Sequence, residues 1–307
     1  QTIEYNERMG IYIGTSGWSY PSGPGKWKGT FYPKRWGGDE LAYYAERFPA
    51  VEVNSSFYRI PAPPNVHRWV DVTPKGFRFT VKLFRKFTHP EFFVKEEDKS
   101  PELTPEDITG MRETLDILGE GGKLGTLLVQ YPDFYVMNDA HVSEVVRTLD
   151  LFRDYPLAVE LRNHTWENGH TRDLLDFFHA SFVRIDEPLF ENLDEPHAPT
   201  KTLQYWRFHG RNADTWRKRG AGEDRYNYLY APEEIDRLAD SVKRHANPEG
   251  ENFVFFNNHP GGKAPANAVM LAYRMGLPLP YQRFANLANV FDALRPITGE
   301  EGGQLSL

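Results

Sequence analysis

Eight short apolar runs recur along the chain, at residues 11–18, 50–57, 77–84, 126–131, 157–162, 181–186, 203–209 and 252–258, and most end in a charged or amide side chain where a hydrophobe would be expected. Between most of them lie stretches with the three- and four-residue apolar spacing of helices. Strand then helix, repeated eight times, predicts an α/β fold of the TIM-like (β/α)8 barrel type, in which ligands sit at the carboxyl ends of the strands. The strand ends are therefore the place to look for a site.

The intervening segments differ in strength. Residues 39–48 carry Leu41, Tyr44, Ala45 and Phe48 on one face, and Thr104-Pro105-Glu106-Asp107 combines a cap, a first-turn proline and a capping-box acid ahead of Ile108, Met111, Leu115 and Leu118. Further helices are predicted at 138–153, 171–180, 232–245 and 264–275, with a short one at 63–70. No helical pattern appears between 188 and 202, so the barrel is expected to be irregular where its sixth helix should stand. Residues 1–297 read as one barrel domain with long loops at its C-terminal face, and the glycine-rich acidic tail 298–307 reads as disordered.

Period two assigns the strand faces. In Leu157-Ala158-Val159-Glu160-Leu161-Arg162 the leucines and valine cover helices, which sends Glu160 and Arg162 inward. The same logic turns Glu52, Asn54 and Ser56, then Lys82, then Arg184 and Asp186, then Arg207 and His209 toward the interior, with Val51, Val53, Val81, Leu83, Val183, Ile185, Trp206 and Phe208 outside. The first strand adds Ser16 and the last adds Asn257. Barrel interiors are ordinarily filled by layers of branched apolar side chains, so an ionic constellation at the mouth points to function. The competing account is a buried network in which Glu52, Glu160 and Asp186 merely neutralise Lys82, Arg162, Arg184 and Arg207.

Several of these segments together resemble a known family. Ile13-Gly14-Thr15-Ser16-Gly17-Trp18-Ser19-Tyr20, Val51-Glu52-Val53-Asn54-Ser55-Ser56-Phe57-Tyr58-Arg59, Ala158-Val159-Glu160-Leu161-Arg162, Arg207-Phe208-His209-Gly210-Arg211 and Phe256-Asn257-Asn258-His259 are similar to the YecE-like family, domain of unknown function 72. The resemblance runs in order from residue 11 to about 275 and implies a TIM-like barrel, without implying a reaction.

Composition narrows the chemistry. The 307 residues include no cysteine, which excludes disulfides, thiolate metal sites and a cysteine nucleophile. No apolar stretch reaches membrane-spanning length, and the first ten residues lack a signal-like apolar core, so a cytoplasmic protein without a membrane partner is expected. The formal net charge of -7 argues against a generic nucleic-acid coat. Against that total, residues 17–38 interleave Trp18, Tyr20, Trp27, Phe31, Tyr32 and Trp36 with Lys26, Lys28, Lys34 and Arg35 and contain no acid. Arg85, Lys86 and His89 follow the third strand, and Arg211, Arg217, Lys218, Arg219 and Arg225 follow the seventh among further aromatics. Such a rim suits an anionic ligand with a ring to stack, although large rings also serve simply to anchor long loops. Asn257-Asn258-His259-Pro260-Gly261-Gly262-Lys263 runs straight into a helix and is either an anion-binding turn or merely a tight one.

These readings converge on a hydrolase or transferase acting on a phosphorylated, nucleotide or nucleic-acid-like anionic substrate at the barrel mouth. Glu160 is the candidate general acid or base, Asp186 or Glu52 its carboxylate partner, His209 a proton shuttle and Lys82 a source of positive charge at the reacting centre. Ser16, Trp18, Tyr20, Asn54, Arg162, Arg207, Arg211, Asn257, Asn258 and Lys263 are the candidate substrate-binding residues. Paired carboxylates leave a glycoside hydrolase as the alternative enzyme, and a basic aromatic rim leaves a non-catalytic nucleic-acid or nucleotide-binding protein. No cofactor is expected. Glu160, Asp186, His209 and His259 could ligate a divalent metal, but no close His pairing appears and arginines compete for the carboxylates, so a metal is not favoured. Nothing in the sequence fixes an oligomeric state.

Overall fold

The strands are β1 (Ile11–Ser16), β2 (Ala50–Val53), β3 (Arg78–Lys82), β4 (Leu124–Gln130), β5 (Leu157–Glu160), β6 (Ser181–Phe182), β7 (Arg184–Glu187), β8 (Phe190–Glu191), β9 (Leu203–Phe208) and β10 (Glu251–Phe256). They come from a computed structural model that describes residues 10–299 apart from 24, 36, 91–101, 189, 195–202, 217 and 219–221. Parallel pairing runs from β1 through β2, β3 and β4 to β5, and in the other direction from β1 through β10 to β9. The two ends meet in one stretch of chain. β6 pairs with β5 and β7 with β9, and only Val183 separates them, its N–H donating to the Val159 carbonyl at 2.9 Å. Residues 181–187 thus form a single strand that passes from one neighbour to the other and closes the TIM-like barrel.

α1 (Glu40–Ala45), α2 (Pro63–Val72), α3 (Pro105–Glu120), α4 (Asp139–Leu151) and α5 (Gly169–Phe177) follow β1 to β5 in turn. α6 (Ala213–Trp216) and α7 (Pro232–His245) follow β9, and α8 (Lys263–Arg274) follows β10. Local chemistry sets their starts. The Thr104 and Asp107 side chains each accept from the other's backbone N–H at the head of α3, at 3.3 and 3.0 Å. Asn168 accepts from Thr171 N–H at 2.9 Å, which starts α5 at Gly169, two residues ahead of the expected start. After β7 the chain turns back through β8, an antiparallel hairpin partner, where the pattern lacked a helix. Two short helices not anticipated from the sequence, α9 (Ala285–Ala288) and α10 (Arg295–Thr298), close the described chain. Thr298 ends α10, and residues 300–307 of the expected disordered tail lie outside the described residues. Among the described residues no helix is long and apolar enough to cross a membrane.

Two apolar layers separate on the period-two pattern. Val51, Val53, Val81, Leu127, Val129, Leu157, Val159, Trp206, Phe208, Val254 and Phe256 pack outward against the helices. Tyr12, Ala50, Leu128, Ala158, Leu203, Tyr205, Phe253 and Phe255 fill the lower barrel, joined there by Val183 and Ile185. The last two correct the sequence reading, which placed Arg184 and Asp186 inside.

The reason is local. No helix among the described residues stands between β7 and β9, so beyond Phe182 the outer face of this strand has no apolar layer to join. It meets the returning hairpin and polar groups instead. Arg184 donates to the Leu193 carbonyl at 3.3 Å, while Asp186 takes Arg211 through both Nε and a terminal nitrogen, at 3.0 and 2.6 Å, and the Tyr230 hydroxyl at 2.6 Å. A shift of one residue in parity moves every side chain to the other face. Asp186 and Arg211 therefore form an outer clamp, with Arg211 reaching on to Glu234 at 3.4 Å.

Asp186→Ala is expected to lower stability to chemical denaturation by about 2–4 kcal/mol, below the top of the range for a buried pair because Arg211 reaches solvent. Arg211→Met in the same background should cost much less than it does alone. Unchanged stability in Asp186→Ala would show that the clamp contributes nothing to the fold.

Candidate functional site

Above the apolar layer, the next inward position is polar on six of the strands. Continuing Ala50, Leu128, Ala158, Ile185, Tyr205 and Phe255 by two residues gives Glu52, Gln130, Glu160, Glu187, Arg207 and Asn257. Arg207 lies at the centre, 1% exposed. Its Nε and one terminal nitrogen donate in parallel to the two oxygens of Glu52 at 2.9 and 2.7 Å, and the other terminal nitrogen reaches Glu160 at 2.7 Å and Gln130 at 3.0 Å. Bidentate pairing fixes the plane of both groups. Glu52 also accepts from the Tyr205 hydroxyl at 2.6 Å. Arg162 donates through Nε to the remaining oxygen of Glu160, contacts His209 Nε2 at 3.3 Å, and lies 3.3 Å from Glu187.

This arrangement decides the charge states. Burial pushes the Glu160 carboxyl up, but the Arg162 and Arg207 guanidiniums outweigh it and hold the group down at about 2. Glu160 is thus held as an anion at neutral pH, the form suited to a base or an electrostatic partner rather than to an acid. Glu187 goes the other way, since burial outweighs Arg162 and the Glu160 charge adds to it, raising its carboxyl to about 7. His209 is held neutral by burial and by the positive charges of Arg162, Arg207 and Lys82, so it does not readily take up a proton. Its Nδ1 lies 3.0 Å from the Asn257 amide.

A cavity of about 690 Å³ opens over this floor, within the ~300–1,000 Å³ usual for small-ligand sites. Trp18, Tyr20, Tyr58 and Tyr226 supply aromatic walls, Lys82, Arg162, Arg207 and Arg225 supply cationic groups, and Asn54, Gln130, Asn257 and His259 add polar ones. The segment after β1 is shaped by Gly17, whose φ of +85° suits glycine and where a Cβ would lie 2.8 Å from the Tyr20 hydroxyl. That hydroxyl donates to the Ser16 carbonyl, and the Tyr20 ring stacks on His259 at 4.5 Å between centroids. Lys82 ends β3 with Nζ 4.0 Å from the Phe57 ring centroid. Burial, with Arg207 and Arg162 adding to it against Glu160, lowers its ammonium to about 7.

Of the residues singled out in the sequence, the structure brings together Glu52, Lys82, Glu160, Arg162, Arg207, His209 and Asn257, with Trp18, Tyr20 and Asn54 on the walls. Ser16 is buried beside Gly17, and its hydroxyl has no hydrogen-bond partner among the described residues. Asp186 and Arg211 stand in the outer clamp. Asn258 points away from the cavity, donating to the Tyr228 carbonyl at 2.7 Å and to Asn267 at 2.8 Å. Lys263 opens α8 and donates to the Asn227 side chain. Gly262 is left-handed and abuts Thr30, where a Cβ would lie 2.8 Å from a methyl carbon, so close packing accounts for that turn.

In the 17–38 loop Trp27, Phe31 and Tyr32 are core residues, while Lys26, Lys28, Lys34 and Arg35 are exposed. Lys86 pairs with Asp107 at 2.9 Å rather than facing a ligand. Arg217 and Arg219 lie outside the described residues. Gln130 and Glu187 went unnamed in the sequence reading, although the inward register that marks Leu128 and Ile185 leads directly to them. No group of three His, Asp or Glu side chains placed to hold a metal occurs among the described residues. Guanidinium groups meet the central carboxylates instead.

Lys82 yields a prediction with a definite sign. A lysine whose folded pKa is depressed binds fewer protons folded than unfolded between pH 7 and 10.5, so its stability contribution improves as pH rises through that window, and its penalty is full below pH 7. Lys82→Met should therefore stabilise the fold at pH 6.5, by about 1–3 kcal/mol once partial access to the cavity is allowed for, with the gain shrinking toward pH 10. Denaturant titrations at both pH values check this. A loss of stability at pH 6.5 would make Lys82 a structural residue.

Comparison with known proteins fits this geometry to a family. UPF0759 protein YunF of Bacillus subtilis (strain 168) is 30% identical over 282 residues, covering 85% of this chain and 93% of that protein. UPF0759 protein YecE of Escherichia coli (strain K12) is 38% identical over 79 residues, covering 26% of this chain and 25% of its own. Among solved structures, a DUF72 family protein from Thermotoga maritima MSB8 matches with a TM-score of 0.70 at 32% identity, covering 87% of this chain and 99% of that one. Another from Enterococcus faecalis V583 matches with a TM-score of 0.72 at 26% identity, covering 87% and 96%. The family model described as "Protein of unknown function DUF72" matches residues 12–286, and the chain belongs to that family.

Proposed function

We propose that the protein is an enzyme of the hydrolase or transferase type that takes a small substrate bearing phosphate or carboxylate into the cavity at the carboxyl end of the barrel. One observation carries the reading. Arg162, Arg207 and Arg225 line one cavity with four aromatic side chains, while the carboxylates beneath, Glu52 and Glu160, are already engaged by arginine. Negative charge is thus supplied to the floor in fixed pairs, and the walls are left with positive charge for a ligand to meet. Arg225 Nε has no hydrogen-bond partner among the described residues, and neither has the buried Asn54 Oδ1 across the same cavity.

Sugar hydrolysis fits less well. It needs an ionised carboxylate and a protonated one facing each other across the scissile bond, and here Glu160 is held ionised beneath the main cavity while the more weakly acidic Glu187 lines a different one. Glu187, whose carboxyl titrates near 7, is the acid better suited to proton transfer, and it faces a smaller adjoining cavity of about 380 Å³ on the far side of Arg162.

The test is calorimetric titration with inorganic phosphate, a nucleotide and a short single-stranded oligonucleotide at low and physiological salt. A small phosphate compound should bind, with affinity falling as salt rises. Arg225→Ser should weaken it about ten-fold, the loss of one charge-assisted hydrogen bond, and leave the melting temperature unchanged. Binding by the oligonucleotide alone would favour a nucleic-acid-binding protein. No binding, or binding indifferent to Arg225→Ser, would overturn the reading.

A further inference from the structure

Lys82 and Lys123 are both drawn into the interior, and they are treated in opposite ways. Lys123 is capped as a cation should be, its Nζ donating to the Val70 and Thr73 carbonyls, both at 2.5 Å, and to the Thr73 hydroxyl at 2.8 Å. Lys82, at the end of β3, has neither a carboxylate within ion-pair distance nor a hydrogen-bond acceptor for Nζ among the described residues, and only the Phe57 ring lies against it. That ring is held there by the turn after β2, where the Ser56 hydroxyl donates to the Lys82 carbonyl at 2.6 Å. The nearby carboxylates could have satisfied an ammonium, but Arg207 and Arg162 occupy them. What remains is an amine pointed into a ligand-sized cavity, with no structural bond to lose when it reacts.

We propose that Lys82 is a covalent nucleophile, whose Nζ condenses with the carbonyl of an aldehyde or ketone substrate while Arg162 and Arg225 hold that substrate's phosphate or carboxylate. The assignment rests on the anion-binding reading above and favours its group-transfer branch. Nζ in its neutral form attacks the carbonyl carbon, the C–N bond forms as the C=O π bond breaks, and the oxygen takes a proton given up by the attacking nitrogen, which leaves a neutral carbinolamine. Loss of that hydroxyl with one further proton releases water and leaves an iminium. The sum is amine, carbonyl and one solvent proton giving iminium and water, with no oxidant or reductant. The iminium then draws electrons from the adjacent carbon, which is what breaking or making a bond at that carbon requires.

The surroundings fit each part of the step. Burial and the two guanidiniums bring the ammonium down to about 7, so that roughly half of the amine is neutral at pH 7, where an exposed lysine is almost wholly protonated. The substrate's own anion compensates the positive charge that the iminium restores beside Arg162 and Arg207. The unpartnered Asn54 Oδ1 offers an acceptor for a substrate hydroxyl.

The experiment is reductive trapping of the full chain with cyanoborohydride and dihydroxyacetone phosphate, pyruvate or uncharged dihydroxyacetone, followed by peptide mapping. At pH 7.5 at least one anionic carbonyl compound should label Lys82 on the order of ten-fold faster than exposed lysines such as Lys26 and Lys28. Arg225→Ser should slow labelling by the anionic compound and not by the neutral one. Lys82→Met, a variant expected to fold at least as stably, should lose the fast adduct and keep the slow ones. Lys82 labelled equally fast by the neutral ketone would keep the nucleophile and reject the anion-binding reading. Salt-dependent phosphate binding with Lys82 labelled no faster than exposed lysines by any of the three would keep that reading and overturn the nucleophile.

Discussion

The Arg207 guanidinium holds Glu52 through two parallel hydrogen bonds and Glu160 through a third, and no apolar residue could replace it while both carboxylates stay buried. Much of the mouth follows from that clamp. One guanidinium cannot balance two carboxylates, so Arg162 joins at Glu160, and its charge in turn keeps His209 neutral. With the acids satisfied from below and beside, positive potential remains on the cavity side. Lys82 is buried in that potential, and burial together with the guanidiniums lowers its ammonium to about 7.

Much of this was legible in the sequence because the barrel converts strand parity into depth. Ala158-Val159-Glu160-Leu161-Arg162 told which side chains face inward, and the ends of the runs told which of those reach the mouth. The method failed where its premise failed. An apolar face marks the side that meets helices, but among the described residues no helix stands between the strand at 181–187 and β9, so its pattern reads the wrong way for Arg184 and Asp186 and hides Glu187. Pairing was also out of reach of the sequence. Nothing in the chain's order reveals that Arg211 belongs to Asp186, or that Arg207 is shared by two acids on different strands, because those contacts exist only once the ring has closed.

Glu160 and Glu187 illustrate how little residue type decides about chemistry. Both are buried glutamates on neighbouring barrel strands, and both touch Arg162. Glu160 has a second guanidinium and is driven far below the ordinary carboxylate range, whereas Glu187 has only a share of one and is driven above it. A single arginine standing between two acids and two cavities thus gives each side of the site a different acidity.

The closing strand carries a consequence for how the chain can change in length. Because residues 181–187 pair with β5 at one end and β9 at the other, an inserted or deleted residue would have no edge on which to be absorbed. It would bring the Arg184 and Asp186 side chains into the apolar layer and turn Glu187 away from Arg162. Homologous chains should therefore keep one length across 181–187, however much their other connections vary.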